Sequence, residues 1–205
     1  MKQVLFSLLF LLTQFVSFAQ NDFTGIAKYK ITVEGNNSVT DSMVVVFGKE
    51  KIKVVLYLPG FDSSRPAEKI FIDDFASKKS ITINPVSKTY KTDTLNAVAK
   101  YNFVNTQKIV ASSNNLLCFK YSAEPASFDT SYISSADCYT SIDYRNSLIS
   151  NYFFLGIQPV IIDNRIVMDF IITQPDGIKQ KIYVYDLKKM DDVESYFNLE
   201  GYRPG

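Results

Sequence analysis

The chain has 205 residues with 22 basic and 21 acidic side chains, a formal charge of +1, and no histidine. Without histidine there is no Ser-His-Asp or Cys-His catalysis, no histidine metal site and no ordinary neutral-pH acid-base group. The near-zero charge shows no basic stripe, which argues against a nucleic-acid partner.

Lys2, the apolar run Val4 to Leu12 and Ser17-Phe18-Ala19 have the order of a signal peptide: charged region, short apolar region, small-x-small cleavage site. The run falls short of the roughly 20 residues that span a bilayer. Residues 1–19 are therefore expected to be a signal peptide and residues 20–205 one mature domain. Neither cysteine follows the cut at Ala19, so a soluble periplasmic or extracellular protein is expected rather than a lipid-anchored one. No later run suits a membrane span; the best, Phe153 to Ile172, holds Asp163, Arg165 and Asp169.

In chain order the mature part reads mainly as strands. Ala27, Tyr29, Ile31 and Val33 alternate with Lys28, Lys30 and Thr32. Gly35-Asn36-Asn37-Ser38 turns into Val39 to Phe47, a strand apolar on both faces and so expected to be covered on both. Gly48-Lys49-Glu50 leads into Lys51 to Leu58, where Ile52, Val54, Leu56 and Leu58 share a face. Phe61 to Ala67 is a polar loop. Ile70 and Ile72, then Ile81 and Ile83, alternate with their neighbours, and Asn84-Pro85 turns into Lys88-Thr89-Tyr90.

The period then changes. Leu95, Val98, Ala99 and Phe103 recur at helical spacing behind Asp93 or Thr94 as a cap, which predicts a short helix. Gln107 to Ala111, Leu117 to Tyr121 and Tyr132 to Thr140 read as strands. Tyr144, Leu148, Ile149, Tyr152 and Phe153 predict a helix over Asp143 to Phe154, ended by Gly156. Val160–Ile162 and Ile166–Thr173 flank the turn Asp163-Asn164-Arg165, and Gln174-Pro175-Asp176-Gly177 leads to Ile178–Leu187. Asp191 to Phe197 suggests one helical turn, with Phe197 to Gly205 as a tail. The class is mainly β (α+β): one curved antiparallel sheet or half-barrel with two or three short helices over its concave face.

Cys118 and Cys138 sit in strand-like runs flanking a loop. An even cysteine count in an exported chain favours a disulfide, with two separate buried thiols as the alternative. Two cysteines without histidine make no zinc set, and only 8 glycines are present, none in a phosphate loop; no metal or cofactor is expected. Asp73 and Asp74 are neighbours, point to opposite faces in a strand, and read as turn or surface residues. An enzyme is not expected.

Several stretches resemble the LolA/LolB-like periplasmic lipoprotein-carrier superfamily, especially its secreted relatives of unknown function. They are the first strand Phe23-Thr24-Gly25-Ile26-Ala27-Lys28-Tyr29, then Gly48-Lys49-Glu50-Lys51-Ile52-Lys53-Val54, Lys69-Ile70-Phe71-Ile72-Asp73-Asp74 and Asn84 to Tyr90. Phe197-Asn198-Leu199-Glu200-Gly201-Tyr202 resembles a closing Phe-x-x-Pro-x-Gly-Tyr signature, one residue shorter and without the proline. The resemblance implies a half-barrel whose concave apolar face receives acyl chains, and hence a lipid or an acylated protein as partner. No local motif carries the carriers' lid-locking arginine onto Arg65, Arg145, Arg165 or Arg203.

The expected function is binding or carrying an apolar ligand in a half-barrel cavity. Ile52, Val54, Leu56, Ile70 and Ile72 are the expected lining, with Leu148, Ile149 and Tyr152 lying across it. The alternative is a non-enzymatic cell-envelope module with a filled core. Expression in a Gram-negative host should give a periplasmic protein starting at Gln20, read by intact mass; a retained leader or a lipid adduct would contradict soluble export.

Overall fold

The computed structural model describes residues 22–58, 67–96, 101–124 and 129–205. The expected signal peptide and residues 61–66 of the loop expected over Phe61 to Ala67 lie outside the described residues, and Ala67 opens a strand.

Among the described residues fourteen strands form one sheet. The first six are β1 (Gly25–Val33), β2 (Asn36–Phe47), β3 (Lys51–Leu58), β4 (Ala67–Asp74), β5 (Lys79–Asn84) and β6 (Thr89–Thr94). Next come β7 (Phe103–Ala111), β8 (Leu117–Ala123), β9 (Ser135–Arg145), β10 (Tyr152–Phe154) and β11 (Gln158–Ile162). The chain ends with β12 (Arg165–Thr173), β13 (Lys179–Lys189), a 3-10 turn at Glu194–Phe197, and β14 (Arg203–Pro204). The order across the sheet is β14-β6-β5-β4-β3-β2-β1-β13-β12-β9-β8-β7, with the β10–β11 hairpin off this path. Two meanders, β1–β6 and β7–β9, occupy opposite halves, joined by β13, which pairs with β1 from Gly25↔Lys189 to Val33↔Gln180, and β12, which pairs with β13 and β9. All these pairings are antiparallel except β14 with β6.

Turn chemistry closes the hairpins. Asp163 and Asn164 both have positive φ, 56° and 59°, and link Ile162 directly to its partner Arg165. Two central residues in the left-handed region make the type I′ turn whose twist matches the strands on either side. At the next turn Gly177 donates to the Gln174 carbonyl at 2.9 Å.

The ladders show how the sheet curves. Phe154 packs on Phe71 of β4 with ring centroids 5.0 Å apart, and its neighbour Phe153 stacks on Phe103 of β7 at 6.2 Å. Strands β4 and β7 are eight places apart in the sheet. At roughly 4.8 Å per strand a flat sheet would separate them by about 38 Å. Two adjacent residues touch both, so the sheet curls around them.

Each face carries its own apolar cluster. The concave face holds Ala27, Tyr29, Met43, Val45, Ile52, Val54, Phe170 and Val184, together with Tyr152 to Phe154 and Val160 to Ile162. The phenol of Tyr29, fully buried, donates to the Val167 carbonyl at 3.0 Å and ties β1 to β12. The convex face of β2–β5 holds Val46, Val55, Ile70, Ile72 and Ile83 beneath Val193 and Phe197.

The differences from the sequence expectations concern the helices, the tail and the cysteines. The stretch expected as a helix over Asp143 to Phe154 is the end of β9, a polar connection and β10. Asn146 fixes that connection by donating to the Phe23 carbonyl at 3.2 Å, and Ser150 accepts from the Asn164 amide at 2.8 Å. Of the other expected helix, Val98 and Ala99 lie outside the described residues and Phe103 opens β7. The helical turn near Phe197 is present. The segment expected to be a tail is instead a strap over the convex face, with Leu199 and Tyr202 packed on its cluster and β14 paired with β6.

Cys118 and Cys138 are free and buried. Cys118 lies opposite Ser141 and Cys138 opposite Tyr121, three positions apart along the β8–β9 ladder. An odd offset on a two-residue period puts the side chains on opposite faces, so a bridge would require the ladder to break. Burial pushes the Cys118 thiol up to about 11 and raises Cys138 well above the usual range. Neither thiol should react with iodoacetamide in the folded protein at pH 7.5, and both should react in denaturant without reductant. Recovery of a linked peptide pair would contradict the free-thiol assignment.

Candidate functional site

Alternation fixes which side chains share a face of one strand, and the ladder fixes the phase between strands. Ile52, Val54 and Leu56 lie opposite Asp73, Phe71 and Lys69. Ile70 lies opposite Val55, and Ile72 opposite Lys53. The structure thus divides the lining expected from sequence. Ile52 and Val54 are buried in the concave cluster and Leu56 packs against it, whereas Ile70 and Ile72 belong to the convex cluster under the C-terminal strap. The inward residues of β4 are Phe71 and Asp73. Leu148 and Ile149 pack against the concave cluster from the β9–β10 connection, half-buried, and Tyr152 is among its most buried members.

Among the described residues, part of the concave face is filled by the chain itself. Tyr152, Phe153 and Phe154 form three consecutive buried residues on β10. Both faces of so short a strand are buried because the sheet curls around it. Three aromatic side chains of this kind bury a large apolar area and suit extended backbone. Phe75 meets Tyr152 edge to face at 5.4 Å, which closes the β4 side.

A cavity of about 170 Å³ remains at the β4–β6 end. Phe71, Tyr152, Phe153 and Phe154 supply apolar walls, and Asp73, Ser80 and Asp93 supply oxygen atoms. The register explains their placement: Asp73 pairs with Ser80, and Ser80 with Asp93, so the three form one row across β4, β5 and β6. Asp73 is nearly buried. One of its carboxylate oxygens accepts from Ser80 Oγ at 2.5 Å, and the other accepts from the Tyr152 phenol. Burial, then the neighbouring Asp73 charge, raises the Tyr152 phenol well above its ordinary range, so it stays a donor at neutral pH. Asp74, next in sequence, points the other way. It accepts from the Ser77 amide at 2.9 Å and sits 3.7 Å from Lys51 Nζ. Burial opposes ionisation of Asp74, but the Ser77 amide and Lys51 outweigh it and hold the carboxyl below its usual range.

Asp73 escapes a sequence reading because adjacent carboxylates look like a turn. Its parity with Phe71 was the available signal: both sit on the face opposite Ile70 and Ile72. Among the described residues no group of three or more His, Cys, Asp or Glu side chains could hold a metal ion. No described helix is long and apolar enough to cross a membrane.

No protein-family model matches the chain, and no curated protein matches it. The fold does recur among solved structures. PNGF-II in its C2 crystal form superposes with a TM-score of 0.55 at 12% identity, over 89% of this chain and 30% of PNGF-II. The P21 form gives 0.52 at 13% identity, over 86% of this chain and 30% of PNGF-II. A LolA superfamily protein from Nitrosomonas europaea aligns over 88% of this chain and 91% of its own length, at 10% identity with a TM-score of 0.36. The chain spans about 30% of the length of PNGF-II, so its fold is found there as one part of a larger protein.

Tyr152→Phe removes one donor from a buried carboxylate without changing the ring. An unsatisfied buried acceptor of this kind costs about 1–3 kcal/mol. The urea midpoint should fall while the slope of the transition stays the same. An unchanged midpoint would show that the phenol does not satisfy Asp73.

Proposed function

We propose that this chain is a non-enzymatic, exported binding module that takes an apolar group of limited size at the β4–β6 end of its concave face. The observation that carries the reading is the cavity between Phe71, Tyr152 and Phe154. An apolar cavity of about 150 Å³ is large enough to hold a benzene ring. At about 170 Å³ this one suits a single ring or the end of an alkyl chain. A whole acyl chain exceeds this cavity, whose inner wall is formed by Tyr152 to Phe154. A lipid or acylated protein would then be held by its terminus, with the rest of the chain outside.

The energetics limit affinity. Burying about 150 Å² of apolar ligand surface gives roughly 4 kcal/mol. That corresponds to a Kd near 1 mM before ordering costs. Tight binding requires further contacts. Leu155, apolar and solvent-exposed at the cavity on the β10–β11 connection, could supply some.

A second reading is favoured by a different observation. On β7 and β8, Ile109 pairs with Phe119 and Ala111 with Leu117, which places four apolar side chains on one face next to a sheet edge. Ile109 and Leu117 are more than half exposed, at 58% and 57%. Such a patch suits an envelope-interaction module that binds a protein surface rather than a small molecule.

Benzene titration followed by NMR separates the two readings. Under the cavity reading, saturable shifts appear at Phe71, Tyr152 and Phe154 and not at Phe197 on the convex side. An organic extract of gently purified protein, analysed by mass spectrometry, should also contain a co-purifying apolar molecule. Absence of both saturable shifts and extracted ligand would leave the interaction reading in its place.

A further inference from the structure

We infer that the group taken by this cavity carries a positive charge: its ligand is a small organic ammonium, primary or quaternary, on a short apolar stem. This rests on the reading of the cavity as a ligand site and names the class of ligand.

Asp73 is 7% exposed and its two oxygens are met by hydroxyl donors, Ser80 and Tyr152. The ion pairs of the described residues leave Asp73 without a lysine or arginine partner. Asp93, in the same row, pairs with Lys91 at 3.1 Å, but that pair is solvent-exposed and strongly screened. Among the described residues no basic side chain lines the cavity. A nearly buried carboxylate with hydroxyl donors alone is only partly compensated for its lost hydration.

That residual charge sorts ligands by sign. A neutral apolar group entering the cavity displaces water from near Asp73 and adds to the cost of its burial. A carboxylate, such as the head of a fatty acid, adds direct repulsion. A cation does the reverse and supplies the missing counter-charge where the effective dielectric is low. The aromatic walls work in the same direction, because the electron-rich ring faces of Phe and Tyr attract cations. The volume fits as well: a trimethylammonium group is comparable in bulk to the single ring that such a cavity holds. Carboxylate, aromatic walls and size thus select the same class of group.

The test is calorimetric titration of the mature chain with three probes of similar size: benzyltrimethylammonium, benzyl alcohol and benzoate. The expected order is ammonium over alcohol by roughly tenfold, with benzoate not bound. Asp73→Asn keeps the side-chain shape and should abolish the preference for the ammonium over the alcohol. If that variant fails to fold by circular dichroism, the exposed Asp93→Asn serves instead, with a two- to threefold loss specific to the ammonium. Equal binding of ammonium and alcohol would overturn the charge inference while leaving the apolar cavity reading intact. Absence of binding by all three probes would overturn both.

Discussion

Phe153 and Phe154 are neighbours in the chain, yet they hold rings from strands eight places apart in one sheet. The rest of the architecture depends on that constraint. A sheet this long twists and curls, and its concave side must be filled with something. Here the filler is a short hairpin of the chain itself, whose three-residue strand is buried on both faces. The β1–β13 ladder makes this arrangement continuous by zipping the two meanders into one sheet. The convex side is treated differently. A C-terminal strap lays Val193, Phe197, Leu199 and Tyr202 over the β2–β5 half, and Gly48 lets it approach closely, since a Cβ there would lie 2.8 Å from the Phe197 ring. The same segment ends as β14 and covers the β6 edge, whereas β7 has β8 as its neighbour on one side and ends the sheet order on the other.

How much of this could be read from the sequence depends on the range of the interaction. Period-two alternation located nearly all the strands, because it reflects each strand's own two faces. It correctly put Ile52, Val54 and Leu56 together. It could not set the phase of β4 against β3: Ile70 and Ile72 are as apolar as a core residue needs to be, and β4 is buried on both sides. Phase comes from the ladder, which depends on the connection between the strands. Tyr144, Leu148, Ile149, Tyr152 and Phe153 satisfy helical spacing by coincidence. The polar Asn146, Ser147, Ser150 and Asn151 among them form the connection, and the aromatics that follow favour strand. Cys118 and Cys138 look suited to a bridge across a hairpin until the odd offset of the ladder is known.

The candidate site was legible only in part. Tyr152 could be seen, as a large aromatic expected to lie across the concavity, although it arrives on a strand and not on a helix. Phe71, Ser80 and Asp93 could not, because they meet only when three ladders are in register. Asp73 was hidden by Asp74, whose ordinary surface pairing with Lys51 is the pattern that adjacent acidic residues suggest. The β10 aromatics on the concave side also change the functional question. An open half-barrel could take a long chain; the ligand proposed for a cavity of about 170 Å³ beside a buried carboxylate is a small group of defined charge. The same fold occupies about 30% of PNGF-II, so it tolerates being one part of a larger protein.

The central claim is that the sheet curls closed around the β10 aromatics. Aromatic-selective NMR labelling tests it directly through nuclear Overhauser contacts between Phe154 and Phe71 and between Phe153 and Phe103. The account predicts both contacts in the same folded sample. Loss of either, with native β-sheet content retained, would mean that the concave face is open and would contradict it.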